Sequence, residues 1–189
     1  MSTNATNAPR IAAERAMELA QTQNGRSLAA ISRERPALVV FLRHSGCTFC
    51  REALADLAKR RSAIEGGPRG GAQIVLVHMG DDASAAKFFG EYGLGDVARI
   101  SDPERKLYRA FELRRGSFWQ LFGPRVIMRG LMAAIRGGHG VGRVQGDPFQ
   151  MPGAFLVQNG RIVSAFRHAA ASDRPEYESI ACALPTTQA

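Results

Sequence analysis

Two short apolar runs, ALVVFL at 37–42 and QIVLVHM at 73–79, flank a stretch with helical periodicity. Runs this short, continuous and rich in β-branched residues read as buried strands. Between them, over residues 50–61, Leu54, Leu57 and Ala58 share one stripe, while Arg51, Glu52, Asp56, Lys59 and Arg60 fall elsewhere. That pattern is an amphipathic helix. A strand, a helix and a second buried strand make a βαβ unit and call for a parallel pair.

The rest of the chain extends this frame. Residues 1–9 read as a polar tail, 11–20 as an Ala- and Glu-rich helix, and Asn24-Gly25 as a turn. GGPRGG at 66–71 is a loop, 84–92 a helix, and ARIS at 98–101 a weak strand. Asp102-Pro103 has the form of a helix start, an acidic cap with proline in the first turn, and Leu107, Ala110 and Phe111 give the helix an apolar face. The paired acids Asp81 and Asp82 are read as another helix N-terminus. AFLVQNGRIVSAF at 154–166 holds two apolar runs split by Asn159-Gly160, the dipeptide of a tight hairpin turn. A last helix is expected over 175–183. Residues 116–150 break the alternation, with Phe118, Trp119 and Phe122, a helix-like part and a Gly-rich loop, and are read as an insertion. The glycines at 138, 140, 142 and 146 match no phosphate-binding pattern. The aromatic trio is read as core. The expected organisation is a tail and helix at 1–23, one domain at 24–184 with its insertion, and a tail at 185–189.

A chain of 189 residues with 45% apolar and 22% charged residues can bury a sizeable core. No apolar run approaches the roughly 20 residues of a membrane span. The N-terminus lacks the basic start and apolar stretch of a secretory signal, so a cytoplasmic location is expected. There, closely spaced thiols serve chemistry or metal binding more readily than a structural disulfide. The net charge of +8 is scattered except between 114 and 147, where six arginines face one acid, Asp147. No recognition motif accompanies it, so nucleic acid is not expected as a partner.

Three cysteines are present, and two of them form the motif Gly46-Cys47-Thr48-Phe49-Cys50 between the first strand and its helix. At a helix N-terminus, backbone N–H groups and the helix dipole favour a negative charge, and a thiol there has a lowered pKa. Arg43, His44 and Arg51 are candidate sources of further positive charge to tune the thiolate. Cys50 lies one turn on, on the same side and deeper. The geometry divides the roles: Cys47 attacks and Cys50 resolves. Two other readings stand beside this one. The pair could be two small buried hydrophobes. Alternatively, His44, Cys47 and Cys50 could ligate zinc with a fourth ligand from His78, His139, His168 or Cys182. Cys182, in an apolar C-terminal helix, is read as buried and structural.

The segment VVFLRHSGCTFCREALADLAK resembles the peroxiredoxin-like branch of the alkyl hydroperoxide reductase/thiol-specific antioxidant superfamily, over about residues 24–184. The resemblance implies a thioredoxin-like α/β fold: a mixed sheet of four to five strands, helices on both faces, and a helical or loop insertion. It implies a proline before the hairpin facing the reactive cysteine. Pro152 holds that place, so Met151-Pro152 is a candidate cis bond whose extended backbone would pair with substrate. This chain departs from the family pattern at two places. Typical peroxiredoxins carry Thr or Ser three residues before the attacking cysteine and Pro seven before, and here those positions are His44 and Val40. An arginine usually completes such a site, with Arg125 and Arg129 candidates by location.

The expected protein is therefore a thiol oxidoreductase cycling a Cys47/Cys50 dithiol couple, with no organic cofactor and no metal. Its substrate would be a hydroperoxide or a protein disulfide, and its reductant of thioredoxin or glutathione type. A monomer or homodimer away from membranes is expected. The rival from another class is a non-catalytic thioredoxin-like module, zinc-loaded at His44, Cys47 and Cys50 or binding a partner through its basic insertion.

Overall fold

The computed structural model describes residues 8–45, 47–67, 71–117, 123, 128 and 146–183. Among them run α1 (Ala8–Leu19), α2 (Leu28–Glu34), β1 (Ala37–Phe41), α3 (Thr48–Glu65), β2 (Gln73–His78), α4 (Asp82–Gly90), β3 (Ala98–Ser101), α5 (Lys106–Ala110), β4 (Gly153–Gln158), β5 (Arg161–Arg167) and α6 (Tyr177–Cys182). Phe118, Trp119, Phe122, Arg125, Arg129, His139 and most of the Gly-rich stretch lie outside the described residues.

The sheet has the order β3-β2-β1-β4-β5. The strands β1, β2 and β3 are parallel, whereas β4 runs antiparallel to β1 and pairs with β5 in a hairpin. At the hairpin tip both Asn159 (φ 51°) and Gly160 (φ 71°) are left-handed, as a two-residue turn between twisted strands requires. The central strands are buried on both faces, which is why their sequences are continuous rather than alternating. Leu38, Val40, Ile74, Leu76, Ala154 and Leu156 pack with α3, α4 and α6. Val39, Phe41, Val75, Val77, Phe155 and Val157 face the other way, toward Met17 of α1, Leu28 and Ile31 of α2, and Tyr108 and Phe111.

Two elements differ from the reading of the sequence. Asp102 does not cap its helix directly, because Pro103 and Glu104 form a turn and Arg105 takes the cap position in a left-handed conformation (φ 57°). The Asp102 carboxylate reaches over that turn to accept from the N–H groups of Lys106, Leu107 and Tyr108 at 2.9, 2.7 and 3.1 Å. Cys182 is exposed, not buried. The short α6 turns Tyr177, Ile180 and Ala181 inward, which leaves the next position facing outward.

Candidate active site

The register places the site. Phe41 at the end of β1 pairs with Gly153 at the start of β4, and Gly153 pairs with Arg167 at the end of β5. The segments 42–45, 47–50 and 147–152 and residue 168 therefore meet at one end of the sheet, where the parallel strands end and ligands of open α/β sheets bind. Gly153 is required there: a Cβ would come within 2.8 Å of Leu113 Cδ2.

Cys47 is the N-cap of α3, with its amide donating to the His44 carbonyl at 3.1 Å and its carbonyl accepting from Arg51 at 3.1 Å. Both Cys47 and Cys50 are buried and unbridged. The Cys50 thiol donates to the Cys47 sulphur, the largest influence lowering the Cys47 pKa. Burial opposes it, and the Arg43 charge and the amides of Cys50 and Phe49 add to it; the result is about 6. Those amides face the sulphur without closing a capping hydrogen bond. The same contact, with burial and the Cys47 charge, pushes Cys50 well up. Its sulphur also accepts from the Arg43 amide at 3.3 Å. One thiol is thus poised as thiolate and its neighbour is held protonated.

Arg43 is 4% exposed and is the centre of the arrangement. Its guanidinium donates from Nη1 to Cys47 Sγ at 3.5 Å, from Nε to the Gln150 carbonyl at 3.1 Å, and from Nη2 to the Pro148 carbonyl. Among the described residues no carboxylate pairs with it. A buried cation surrounded by dipoles strongly favours an adjacent anion, and the ionisable atom it donates to is the Cys47 sulphur. Gln150, which single-sequence reasoning missed, is 2% exposed. Its side-chain amide lies within donating distance of the Leu113, Arg114 and Met151 carbonyls at 3.0, 3.3 and 3.2 Å, which fixes the backbone that holds Arg43. A lone polar residue between Phe149 and Met151 gives no signal of such a role.

The other expected site residues differ in how they stand to the pair. His44 is beside the pair, but burial and then the Arg43 charge hold it down to about 4, so it is neutral and adds no positive charge. The Arg51 guanidinium lies over the Phe88 ring, 5.3 Å from its centroid, and not on the thiols. Met151-Pro152 is trans, and no cis bond occurs among the described residues. The segment enters β4 as extended backbone, which a trans prolyl bond continues without a turn. Nor is Met151 free to pair with substrate, since its N–H donates to the Arg114 carbonyl at 3.1 Å and its carbonyl accepts from Gln150. Pro152 does come close: with Phe49, Cys50, His168 and Tyr177 it lines a small cleft on the Cys50 side.

Among the described residues no group of three or more His, Cys, Asp or Glu side chains is placed to hold a metal. His44, Cys47 and Cys50 thus do not form the zinc set considered above. Two of the proposed fourth ligands are packed as apolar rings: His78 sits edge-on to Phe89, and His168 to Phe166.

A mixed five-stranded sheet with a thiol pair at the N-terminus of the helix after β1 defines the thioredoxin-like class. The family model described as AhpC/TSA antioxidant enzyme matches residues 53–172, and the chain belongs to that family. The match begins just after Cys50. Peroxiredoxin-like 2C of Bos taurus is 30% identical over 148 residues, 72% of this chain and 61% of that protein. A chloroplastic thioredoxin-like protein of Arabidopsis thaliana is 30% identical over 106 residues, 56% of this chain and 40% of that one. The chain thus spans less than two thirds of the length of these relatives. Among solved structures, a cysteine-to-serine mutant of Xanthomonas campestris peroxiredoxin Q aligns with a TM-score of 0.52 at 19% identity, covering 81% of this chain and 82% of that one. A yeast mitochondrial 1-Cys peroxiredoxin aligns with a TM-score of 0.55 at 11% identity, covering 85% and 68%. These structures share the fold. Among the described residues no helix is long and apolar enough to cross a membrane.

Proposed function

We propose that this chain is a dithiol peroxidase in which Cys47 attacks a hydroperoxide and Cys50 resolves the product. The observation that carries the reading is the buried Arg43 guanidinium, 3.5 Å from the Cys47 sulphur, with no carboxylate partner among the described residues. The Cys47 thiolate attacks the peroxide oxygen; an S–O bond forms as the O–O bond breaks. The leaving alkoxide takes a proton to become an alcohol, and Cys47 becomes a sulfenic acid. Cys50, protonated until then, attacks that sulphur. An S–S bond forms, the S–O bond breaks, and the departing hydroxide takes the Cys50 proton to leave as water. The sum is one hydroperoxide and a dithiol converted to one alcohol, one water and a disulfide.

An external thiol closes the cycle by exchange. The yeast mitochondrial 1-Cys peroxiredoxin is resolved via glutathione/thioredoxin systems, and we take a donor of that class here. In a reducing cytoplasm such a donor returns the pair to the dithiol form, in a monomer or homodimer alike. The second reading, reduction of a protein disulfide, rests on the Cys-x-x-Cys spacing. The Met151 backbone groups, its N–H already donating to Arg114 and its carbonyl already accepting from Gln150, weigh against it.

The deciding experiment runs peroxide consumption and insulin disulfide reduction in parallel on wild type and Cys47→Ser. Peroxide turnover that disappears in the mutant, with insulin reduction slow in both, supports the proposal. Insulin reduction without peroxide turnover refutes it in favour of the second reading, and activity that survives Cys47→Ser refutes both.

A further inference from the structure

We propose that Asp147 is a positioning residue: it clamps the loop whose carbonyls hold the Arg43 guanidinium against the Cys47 sulphur. The inference rests on the reading of Cys47 as nucleophile. Asp147 is the acid of an otherwise basic stretch, and its side chain is 16% exposed. Two cations converge on it. Arg105 pairs through Nη1, and Arg115 pairs through Nε at 2.9 Å. Arg105 is held left-handed at the cap of α5, a conformation that strains a non-glycine residue and persists where surroundings over-determine it.

The loop folds around the same carboxylate. Asp147 Oδ1 accepts from the Phe149 amide at 2.9 Å, and the Asp147 carbonyl accepts from the Gln150 amide at 3.1 Å. The Arg115 guanidinium covers the Phe149 ring at 5.5 Å, and the Gly116 amide donates to the Phe149 carbonyl at 2.7 Å. This turn aims the carbonyls of Pro148 and Gln150 at Arg43. A chain of direct contacts therefore runs from Arg105 and Arg115 through Asp147 and its turn to Arg43 and Cys47. His44 and His168, both neutral near pH 7, and the protonated Cys50 also face this end, and the charged Glu52, Asp56, Asp173 and Arg174, with Tyr177, line the cleft beside Arg43 and Cys50.

The sign of the effect separates this role from a through-space one. Removing a nearby negative charge would favour the thiolate and lower its pKa. Releasing the loop withdraws the guanidinium and raises it. The full-length protein with Asp147→Asn retains an oxygen for the Phe149 amide but loses both ion pairs. Its iodoacetamide rate at Cys47 should be read against pH. A midpoint raised by about one unit makes the rate near pH 6 fall about fivefold while the rate near pH 9 stays at the wild-type level. Asp147→Glu, which restores the charge, should recover part of the loss. Should Asp147→Asn fail to fold, Asp147→Ser is read the same way. A midpoint that is unchanged or lowered overturns the inference, as does a rate reduced equally at all pH values. If wild-type Cys47 itself titrates as an ordinary thiol, the reading of the nucleophile fails instead, a distinct result.

Discussion

Replacing Arg43 by methionine removes the buried cation and keeps most of the apolar stem. The guanidinium lies 3.5 Å from the Cys47 sulphur. At that separation unit charges attract by about 5 kcal/mol at an effective dielectric near 20, and by about 1 kcal/mol in bulk water. At about 1.4 kcal/mol per pKa unit, the loss should raise the Cys47 pKa by roughly one to three units. The Cys50 thiol and the α3 amides remain, so the value should stay below that of a thiol buried alone. Arg43→Met also strips donors from the Pro148 and Gln150 carbonyls, at about 1–3 kcal/mol for each carbonyl left buried without a partner. Its stability must therefore be measured beside its chemistry. Arg43→Lys keeps the charge but not the three-way fork, and should shift the thiol less. The assay is the pH dependence of alkylation at Cys47, checked by thiolate absorbance. A folded Arg43→Met protein with an unmoved Cys47 midpoint would refute the argument that this cation makes the nucleophile.

Three further outcomes follow from the fold. Burial holds His44, His78 and His168 down to about 4 each, so the unfolded chain binds protons that the fold does not as pH falls from about 6.5. Stability should be full above that window and decline through it to about pH 4, by denaturant titration; a flat profile would contradict the buried neutral rings. The Tyr108 hydroxyl, fully buried, meets the carbonyls of Leu42 and Val77 where β1 and β2 end, so Tyr108→Phe should cost about 1–2 kcal/mol and loosen the segment before Arg43. Gly160→Ala meets no neighbouring atom but sits at φ +71°, so it should cost about 1 kcal/mol from backbone strain alone, and a neutral result would argue against the two-residue turn.

The reach of the sequence follows the range of the forces involved. ALVVF and QIVLVH are legible because burial on both faces leaves a continuous apolar signature, and Asn159-Gly160 because a turn needs left-handed residues at adjacent positions. Cys47 at the helix cap is legible for the same local reason. Chain proximity puts Arg43 near the thiols, but its anchorage on Pro148 and Gln150 spans more than a hundred residues and leaves no local trace. His44 reads as a charged neighbour, since sequence shows adjacency but not desolvation. The cis proline is an expectation of resemblance alone, and here the extended approach to β4 makes a trans bond sufficient. Asp102 reads as a plain cap because the left-handed Arg105, which moves the helix start, is an unusual choice for a non-glycine residue.

The division of labour within the pair is tested most directly by trapping the oxidised sulphur. Cys50→Ser, treated with one equivalent of hydroperoxide and then with a sulfenic-acid probe, should carry the label at Cys47 in peptide maps, whereas Cys47→Ser should carry none. Labelling at Cys50 in Cys47→Ser, with Cys47 unlabelled in Cys50→Ser, would contradict the assignment and make Cys50 the attacking thiol.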